Sequence, residues 1–255
     1  MRIRPVSLCL PLVLSFLAAC SIHVGCSGGS RWCMNGVHLD ESHTEVLNTP
    51  SLGADGIALD ISAGQVRFEP ANGAASIEVV VHEKTKGDAS VRFEGGKLVV
   101  STKSGEPAAI GDVIVRTDGP LAKVSIATGA GDISLSGLQV RSELRIDSGA
   151  GDVSYLDGSV EGNLSIDSGA GDLALERVKC ADLELSSGAG DIRVARVEAK
   201  RAEFDSGAGD IDVSNCALVE IDADTGVGDV EVVNCSYQKS RFDTGIGDVD
   251  VRNGG

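Results

Sequence analysis

One pentapeptide recurs through the C-terminal half of this 255-residue chain. Its pattern is Ser or Thr, Gly, any residue, Gly, Asp, and its copies begin at Thr128, Ser148, Ser168, Ser187, Ser206, Thr225 and Thr244. Successive copies are 20, 20, 19, 19, 19 and 19 residues apart. A period this short and this regular indicates a repeat protein in which each repeat is one supersecondary unit.

The apolar residues between the copies alternate with polar ones. Ile192 and Val194 stand one and three residues after an Asp, and Leu164 and Ile166 stand four and two residues before a Ser. A period of two indicates short strands with one buried face. Two such strands and a glycine turn fill each repeat, so no helix of ordinary length fits.

A single repeat of this length cannot bury its own apolar face. Stacking the repeats as successive coils about 4.8 Å apart would place like residues above like residues and form one continuous core. We therefore predict an all-β fold, a single-stranded parallel β-helix (solenoid) with 19–20-residue coils and a right-handed coil.

The glycines of the pentapeptide are predicted to form the tight corner of each coil. Glycine adopts backbone angles φ above zero without the steric cost that a Cβ brings. The predicted structural-turn glycines are Gly129, Gly131, Gly149, Gly151, Gly169, Gly171, Gly188, Gly190, Gly207, Gly209, Gly226, Gly228, Gly245 and Gly247.

The period is degraded but still visible upstream of the regular repeats. The segments 61–66 (ISAGQV) and 111–113 (GDV) look like worn copies of the same turn. Terminal repeats of a solenoid are atypical because they must close its ends. We therefore assign residues 51–127 to irregular N-terminal solenoid coils and residues 128–255 to the regular solenoid.

The first 19 residues have the composition of an export signal. Arg2 and Arg4 precede an apolar run that is too short to span a membrane, which needs about 20 apolar residues. The run ends in Leu-Ala-Ala before Cys20, which resembles the lipobox of bacterial lipoproteins. That resemblance implies that Cys20 is lipidated and anchors the chain in the bacterial envelope, in the outer membrane if the organism has one. Residues 20–50 show no period and are predicted to be the lipidated Cys and a flexible tether.

The charge of the chain limits its partners. The formal net charge is −16, and removing Arg2 and Arg4 with the signal would leave 20 bases against 38 acids, or −18. A phosphate backbone would be repelled by such a surface, so we predict no nucleic-acid partner.

Stacking would align the acids of the pentapeptides in one column. Neighbouring unit charges about 4 Å apart repel by about 1 kcal/mol in water and by about 4 kcal/mol at an intermediate dielectric constant. Carboxylates that accept backbone N–H groups at the turns are the favoured explanation. The alternative is a ladder of calcium ions, since carboxylate oxygens suit that ion. The candidate ligands are Asp132, Asp152, Asp172, Asp191, Asp210, Asp229 and Asp248.

A second acidic column precedes the Ser or Thr of the turn. It contains Asp147, Asp167, Asp205, Asp224 and Asp243. Two cysteines, Cys216 and Cys235, occupy the same position in adjacent coils, where they are predicted to be buried thiols, with a disulfide as the alternative.

The repeats also resemble a known family. Gly-Asp-Val/Ile strands every 19 or 20 residues, preceded by a looser apolar portion, are similar to the bacterial envelope β-strand-repeat family labelled "putative adhesin", over roughly residues 50–255. The resemblance implies a β-helix on the cell envelope, and it implies no ligand, activity or functional residues.

These features favour a surface binding or structural module over an enzyme. The part after residue 128 contains no His and only the tyrosines Tyr155 and Tyr237, whereas polysaccharide-cleaving β-helices need a cleft with acids, bases and aromatic platforms. We predict no catalytic residue, no cofactor, a membrane attached through the lipid anchor, and an envelope or surface protein or glycan as partner. The alternatives are an envelope-stress sensor that binds cationic peptides and, less favoured, a polysaccharide-active enzyme. Self-association through the C-terminal solenoid edge is predicted as well.

Overall fold

The computed structural model describes residues 32–34, 36–48 and 52–252. In this part of the chain the secondary structure consists of strands and one four-residue helix, α1 (Leu52–Asp55). The strands before the first regular turn are β1 (Trp32–Met34), β2 (Val37–Leu39), β3 (Glu41–Asn48), β4 (Ile57–Ile61), β5 (Val66–Pro70), β6 (Ser76–Glu83), β7 (Ala89–Glu94), β8 (Lys97–Thr102), β9 (Ala108–Thr117) and β10 (Leu121–Thr128). The strands after it are β11 (Ile133–Ser136), β12 (Gln139–Ser148), β13 (Val153–Val160), β14 (Asn163–Ser168), β15 (Leu173–Lys179), β16 (Asp182–Ser187), β17 (Ile192–Ala195), β18 (Glu198–Ser206), β19 (Ile211–Ser214), β20 (Ala217–Val227), β21 (Val230–Val233), β22 (Lys239–Ile246) and β23 (Val249–Arg252).

The strands stack into a parallel β-solenoid of about seven coils, which confirms the predicted fold class. The strands before the turns form one side, which we call the pre-turn side: β4, β10, β12, β14, β16, β18, β20 and β22. The strands after the turns form the post-turn side: β5, β11, β13, β15, β17, β19, β21 and β23. All of these neighbours pair in parallel.

The core is a stack of aliphatic rows. On the pre-turn side Leu164 lies beside Leu183, and Ile166 lies beside Leu185. Each of these side chains is at most 2% exposed. The row one residue after the turn Asp is fully buried from Ile133 through Val230. Burying apolar surface contributes about 25 cal/mol per Å² to stability. These rows are buried only when neighbouring coils cover each other.

Each coil has a second corner that the sequence analysis missed. Five residues after the turn Asp the backbone enters the left-handed region, with φ between 53° and 64° at Gly137, Asp157, Arg177, Arg196, Asn215 and Asn234. The corner leads into a short third side, where Val140 pairs with Val160 and Ala217 with Ser236. The coil is therefore three-sided.

The worn turn upstream belongs to the stack. Gly64 has φ +133° and takes the place of the second glycine of the pentapeptide. Its flanking strands β4 and β5 pair in parallel with β10 and β11, although about fifty residues of chain separate β5 from β10. Two coils that are adjacent in the stack are therefore separated in the sequence by a long insertion.

Most of residues 71–120 do not form coils, which corrects the prediction of irregular solenoid coils over residues 51–127. β9 continues the post-turn side in parallel with β5, but β6 then pairs antiparallel with β9. β7 and β8 form an antiparallel hairpin that joins β4 through the pair Ala58 and Lys97. These strands form an antiparallel cap at the N-terminal end of the rod, because its first coil would otherwise leave its core uncovered.

The prediction of a flexible tether through residue 50 is wrong for Glu41–Asn48. This segment is β3, and all eight residues pair antiparallel with β6. Its inward side chains include His43 and Glu45, whose polarity hid the strand period from sequence reasoning. Nδ1 of His43 lies 2.9 Å from the Glu83 carboxylate, and Nε2 lies 3.2 Å from that of Glu45.

Glu83 is the buried acid of this cap, at 1% exposure. Burial opposes its charged form, but N–H groups of Ala89 (2.7 Å) and Gly87 (2.6 Å) donate to the carboxylate and His43 lies beside it. Together these contacts outweigh burial, so the pKa of Glu83 lies below its usual value.

The predicted signal peptide (residues 1–19), the lipidation site Cys20 and the first part of the tether lie outside the described residues. Within the described part of the chain, no helix has the length and apolar character needed to cross a bilayer. The hand of the coil stays a prediction.

Candidate functional site

The glycine turns line up along one edge of the rod, and their two glycines are required for different reasons. The second glycine has φ between +125° and +152° in all seven copies, as at Gly190 with +150°. The first glycine is required because the backbone of the neighbouring coil lies too close for a side chain. A Cβ on Gly188 would lie 2.5 Å from the carbonyl oxygen of Gly169, one coil earlier. A side chain at either position therefore collides with the neighbouring coil.

The turn aspartates form a hydrogen-bonded ladder. The backbone N–H of Asp191 donates to Oδ1 of Asp172 at 2.9 Å, and that of Asp229 donates to Oδ1 of Asp210 at 2.8 Å. The same contact joins each adjacent pair along the column Asp132, Asp152, Asp172, Asp191, Asp210, Asp229 and Asp248. The first six carboxylates thus supply the acceptor that a backbone carbonyl supplies elsewhere in the sheet.

The worn copy at residues 111–113 joins the same edge. Oδ1 of Asp112 accepts the N–H of Gln65 at 2.8 Å. Gln65 occupies the position of the turn Asp in its own coil and carries no carboxylate, which explains why the column of acids changes there.

The calcium ladder finds no preformed cage in this geometry. In the described part of the chain, no group of three or more His, Cys, Asp or Glu side chains is arranged to hold a metal ion. Calcium takes six to eight oxygen ligands. One oxygen of each carboxylate from Asp132 to Asp229 accepts an amide hydrogen, so these side chains have a structural role without calcium, and the calcium ladder stays a prediction.

Basic side chains partly neutralise the post-turn side. Arg193 contacts Asp172 at 3.1 Å and Asp191 at 2.5 Å, and the hydrogen bond to Asp172, with these charges, raises the pKa of Arg193. At the second corner Arg177 pairs with Asp157, and its hydrogen bond lowers the pKa of the Asp157 carboxyl. These pairs are exposed, so each contributes little to stability.

The outer face of the pre-turn side carries the second acidic column. Asp147 pairs in register with Asp167, and Asp205 with Asp224, so their carboxylates repeat at the spacing of the coils. Ser186 interrupts the row between these pairs. A shallow open groove at the N-terminal end of the row is lined by Asp60 and Asp147 among others. This row and its groove, from Asp60 to Asp224, are the candidate binding face.

The exposed tip of the turn changes character along the rod. The residue between the two glycines is Ala in the first five copies, and then becomes Val227, 50% exposed, and Ile246, 70% exposed. Large apolar side chains are therefore concentrated on the tips of the last two turns.

The structure brings Cys216 and Cys235 into adjacent coils as buried thiols. Among the described cysteines, none forms a disulfide. Sγ of Cys235 accepts the N–H of Cys216 at 3.4 Å, and Sγ of Cys216 donates to the carbonyl of Ser214 at 3.2 Å. The hydrogen bond with Cys235 and burial both raise the pKa of Cys216, so the thiol serves packing and hydrogen bonding.

Comparison with known proteins identifies the fold. No family model matches the chain, and no curated protein matches it. A "putative adhesin" from Bacteroides fragilis is 18% identical with a TM-score of 0.57, and the match covers 83% of this chain and 97% of that one. A "putative adhesin" from Parabacteroides distasonis is 15% identical with a TM-score of 0.54 and the same coverage. A "putative lipid binding protein" from the same species is 16% identical with a TM-score of 0.51, and covers 84% of this chain and 96% of that one. At these identities the similarity establishes a shared fold.

Proposed function

We propose that this chain is an exported, lipid-anchored envelope protein whose solenoid is a surface binding module of the adhesin type. The observation that carries the proposal is the repetition of the candidate binding face along the rod. A ligand that is itself repetitive, such as a glycan chain, can make the same contact at successive coils. Many weak contacts along one rod give high avidity without any deep pocket.

Two further findings support a binding role. Two of the solved structures with this fold are described as "putative adhesins" and one as a "putative lipid binding protein". The acids of the regular repeats recur in each coil, and the hydrogen-bonded ladder and the ion pairs account for their positions without a catalytic role. We therefore propose no enzymatic activity.

The anchor is tested by labelling. Cells expressing the full chain are fed radiolabelled palmitate, and the membrane and soluble fractions are compared with those of Cys20→Ser. We expect label and membrane attachment in the parent chain and neither in the variant. Unchanged membrane attachment of the variant would overturn the lipid anchor.

The binding face is tested by a charge-matched pair of variants. The full chain carrying Cys20→Ser is applied to immobilised glycans and to immobilised cationic peptides. Four substitutions on the pre-turn side (Asp147→Asn, Asp167→Asn, Asp205→Asn and Asp224→Asn) are compared with four exposed acids elsewhere (Glu41→Gln, Glu94→Gln, Asp118→Asn and Glu161→Gln). Loss of binding in the first variant alone supports the proposed face, and equal binding by both variants overturns it.

A second candidate function follows from the same row of acids. With a formal charge of −16, the chain would attract cationic peptides, as an envelope-stress sensor requires. Binding to the immobilised peptides that collapses as salt is raised would favour the sensor. Binding to glycans that persists in salt would favour the adhesin.

A further inference from the structure

The two ends of the rod differ in how they are covered. In the coil formed by β22 and β23, Val249 is 42% exposed and Val251 is 39% exposed, whereas Val230 and Val232 occupy the same positions one coil earlier and are fully buried. β22 is paired with β20, and β23 with β21. In the described part of the chain no strand covers their other edges, so this end presents both apolar side chains and backbone hydrogen-bonding groups.

On the pre-turn side, the N-terminal end of the rod is closed against strand addition. The edge of the hairpin strand β7 is occupied by carboxylates, because Glu83 accepts the N–H of Ala89 and Glu45 accepts the N–H of Val91 at 2.8 Å. Charged side chains that occupy edge amides prevent other strands from pairing there. The ring of Trp32, in the short β1–β2 hairpin, also stacks on His82 of β6 at 4.2 Å. A head-to-tail filament that continued the pre-turn side would need the edge of β7 to accept a strand.

We propose that two copies of this chain associate end to end through their C-terminal coils, with β22 pairing antiparallel to β22 of the second copy about Phe242. A two-fold axis perpendicular to the rod relates the copies, so the interface is isologous and closes at a dimer. The axis runs through one side of the three-sided coil, so only one strand can pair with its own copy. β22 is that strand, because it has eight residues and β23 has four.

The sequence of β22 is self-complementary about Phe242. In this register Arg241 faces Asp243 of the second copy, and the reverse pair forms at the symmetric position. Both side chains are exposed, at 64% and 61%. Within its own chain Arg241 lies 3.6 Å from Asp243 and 3.7 Å from Asp222, so both contacts are longer than a hydrogen bond. Opposite charges directly across an antiparallel pair stabilise it, and like charges destabilise it.

The pairing also covers the apolar end of the core. Phe242 packs edge-on against Tyr237 with a centroid distance of 5.9 Å and remains partly exposed in the last coil. In the dimer it lies against Phe242 of the second copy. One coil end is small beside a standard interface of about 1,600 Å², so we expect a dissociation constant in the micromolar range.

The oligomeric state is measured by sedimentation velocity on the full chain carrying Cys20→Ser, over a concentration series from about 1 to about 300 µM. We expect a monomer–dimer equilibrium without larger species. Arg241→Asp and Asp243→Arg should each raise the dissociation constant more than about tenfold, because each places like charges across the pair at both symmetric positions. Mixing the two variants should restore a dimer, since every cross-pair then joins opposite charges.

The matched control is Arg145→Asp. Arg145 and Asp147 have the same positions in an internal coil that Arg241 and Asp243 have in the last coil, and they form an ion pair at 2.6 Å. This variant should dimerise like the parent chain, and circular dichroism melts should confirm that all variants are folded. A chain that stays monomeric throughout the series, or a dimer that Arg241→Asp leaves unchanged, would overturn the proposal. The result does not depend on what the pre-turn side binds.

Discussion

Oδ1 of Asp210 accepts the backbone N–H of Asp229, one coil later, at 2.8 Å. Asp210 therefore stabilises the fold as a hydrogen-bond acceptor. Two substitutions separate this contribution from the effect of its negative charge on stability. Asp210→Ala removes the acceptor and should lower the free energy of unfolding by about 1 kcal/mol. Asp210→Asn keeps an oxygen at the same position and relieves repulsion along the column, so it should change stability by less than about half that. Urea denaturation of both variants measures the difference, and an equal loss in the two would mean that charge dominates.

The same ladder predicts how the chain responds to calcium. Amides donate to one oxygen of each turn carboxylate from Asp132 to Asp229, so the folded ladder is satisfied without calcium. The melting temperature should therefore be the same in millimolar calcium and in chelator. A rise of several degrees with calcium would show that cations bind the folded state, because a ligand selective for that state stabilises it.

The glycine turns allow a comparison at fixed backbone geometry. Gly190 and Gly73 have nearly equal φ angles, +150° and +148°, but a Cβ on Gly190 would overlap the backbone of Gly171, while a Cβ on Gly73 would meet no atom within 4 Å. Alanine at either position must adopt nearly the same unfavourable φ. Only Gly190→Ala also forces two coils apart, so it should cost at least about 2 kcal/mol more than Gly73→Ala. Equal thermal shifts in the two variants would contradict the contact between coils.

Whether the hydroxyl at the start of a turn forms a hydrogen bond depends on the length of the coil before it. Oγ of Ser206 donates to the carbonyl of Gly190 at 3.0 Å, whereas Oγ of Ser168 is buried with no hydrogen-bond partner. Ser168 follows a 20-residue spacing and Ser206 a 19-residue spacing. Ser206→Ala should destabilise the chain by about 1 kcal/mol, and Ser168→Ala should be neutral or stabilising, because it removes an unsatisfied polar group. Denaturation midpoints decide this, and a larger loss for Ser168→Ala would be the contrary result.

The regular coils could be predicted from the sequence because both of their requirements leave a visible trace. A glycine that touches the next coil and an aliphatic row with a period of two are repeated seven times. The second corner left a weaker trace. Asp157, Asn215 and Asn234 are residue types that tolerate the left-handed region, but Arg177 and Arg196 at the same position are not. Aligning the repeats on the turn Asp would have revealed the position.

The N-terminal cap could not be predicted in the same way. Its inward-facing residues include Glu45, His43 and Glu83. In the folded chain these polar side chains form hydrogen bonds, but in the sequence their residue types predict exposed positions. The stacking of β4 on β10 depends on contacts across a long insertion, which no local pattern encodes. The candidate binding face was visible as a column of acids, whereas the exposure of Val249 and Val251 required the structure.

The ring of Tyr155 occupies space that a side chain fills in the next coil. Tyr155 is fully buried, and its hydroxyl donates to the carbonyl of Leu138 at 2.8 Å. A Cβ on Gly158 would overlap the ring, and in the next coil Leu175 and Val178 stand at the positions of Tyr155 and Gly158. One coil thus fills this volume with the Tyr155 ring beside a glycine that has no side chain. The next coil fills it with two side chains of medium size, Leu175 and Val178.

This exchange predicts strong coupling between the two positions. Gly158→Val alone should cost about 3 kcal/mol through overpacking, and Tyr155→Leu alone about 2 kcal/mol through the cavity and the lost hydrogen bond. The double variant recreates the pair found one coil later, so it should cost less than either single change. Urea denaturation of all four chains gives the coupling free energy. Additive losses would mean that the ring and the missing side chain do not share this volume, and that adjacent coils are not interchangeable units of the rod.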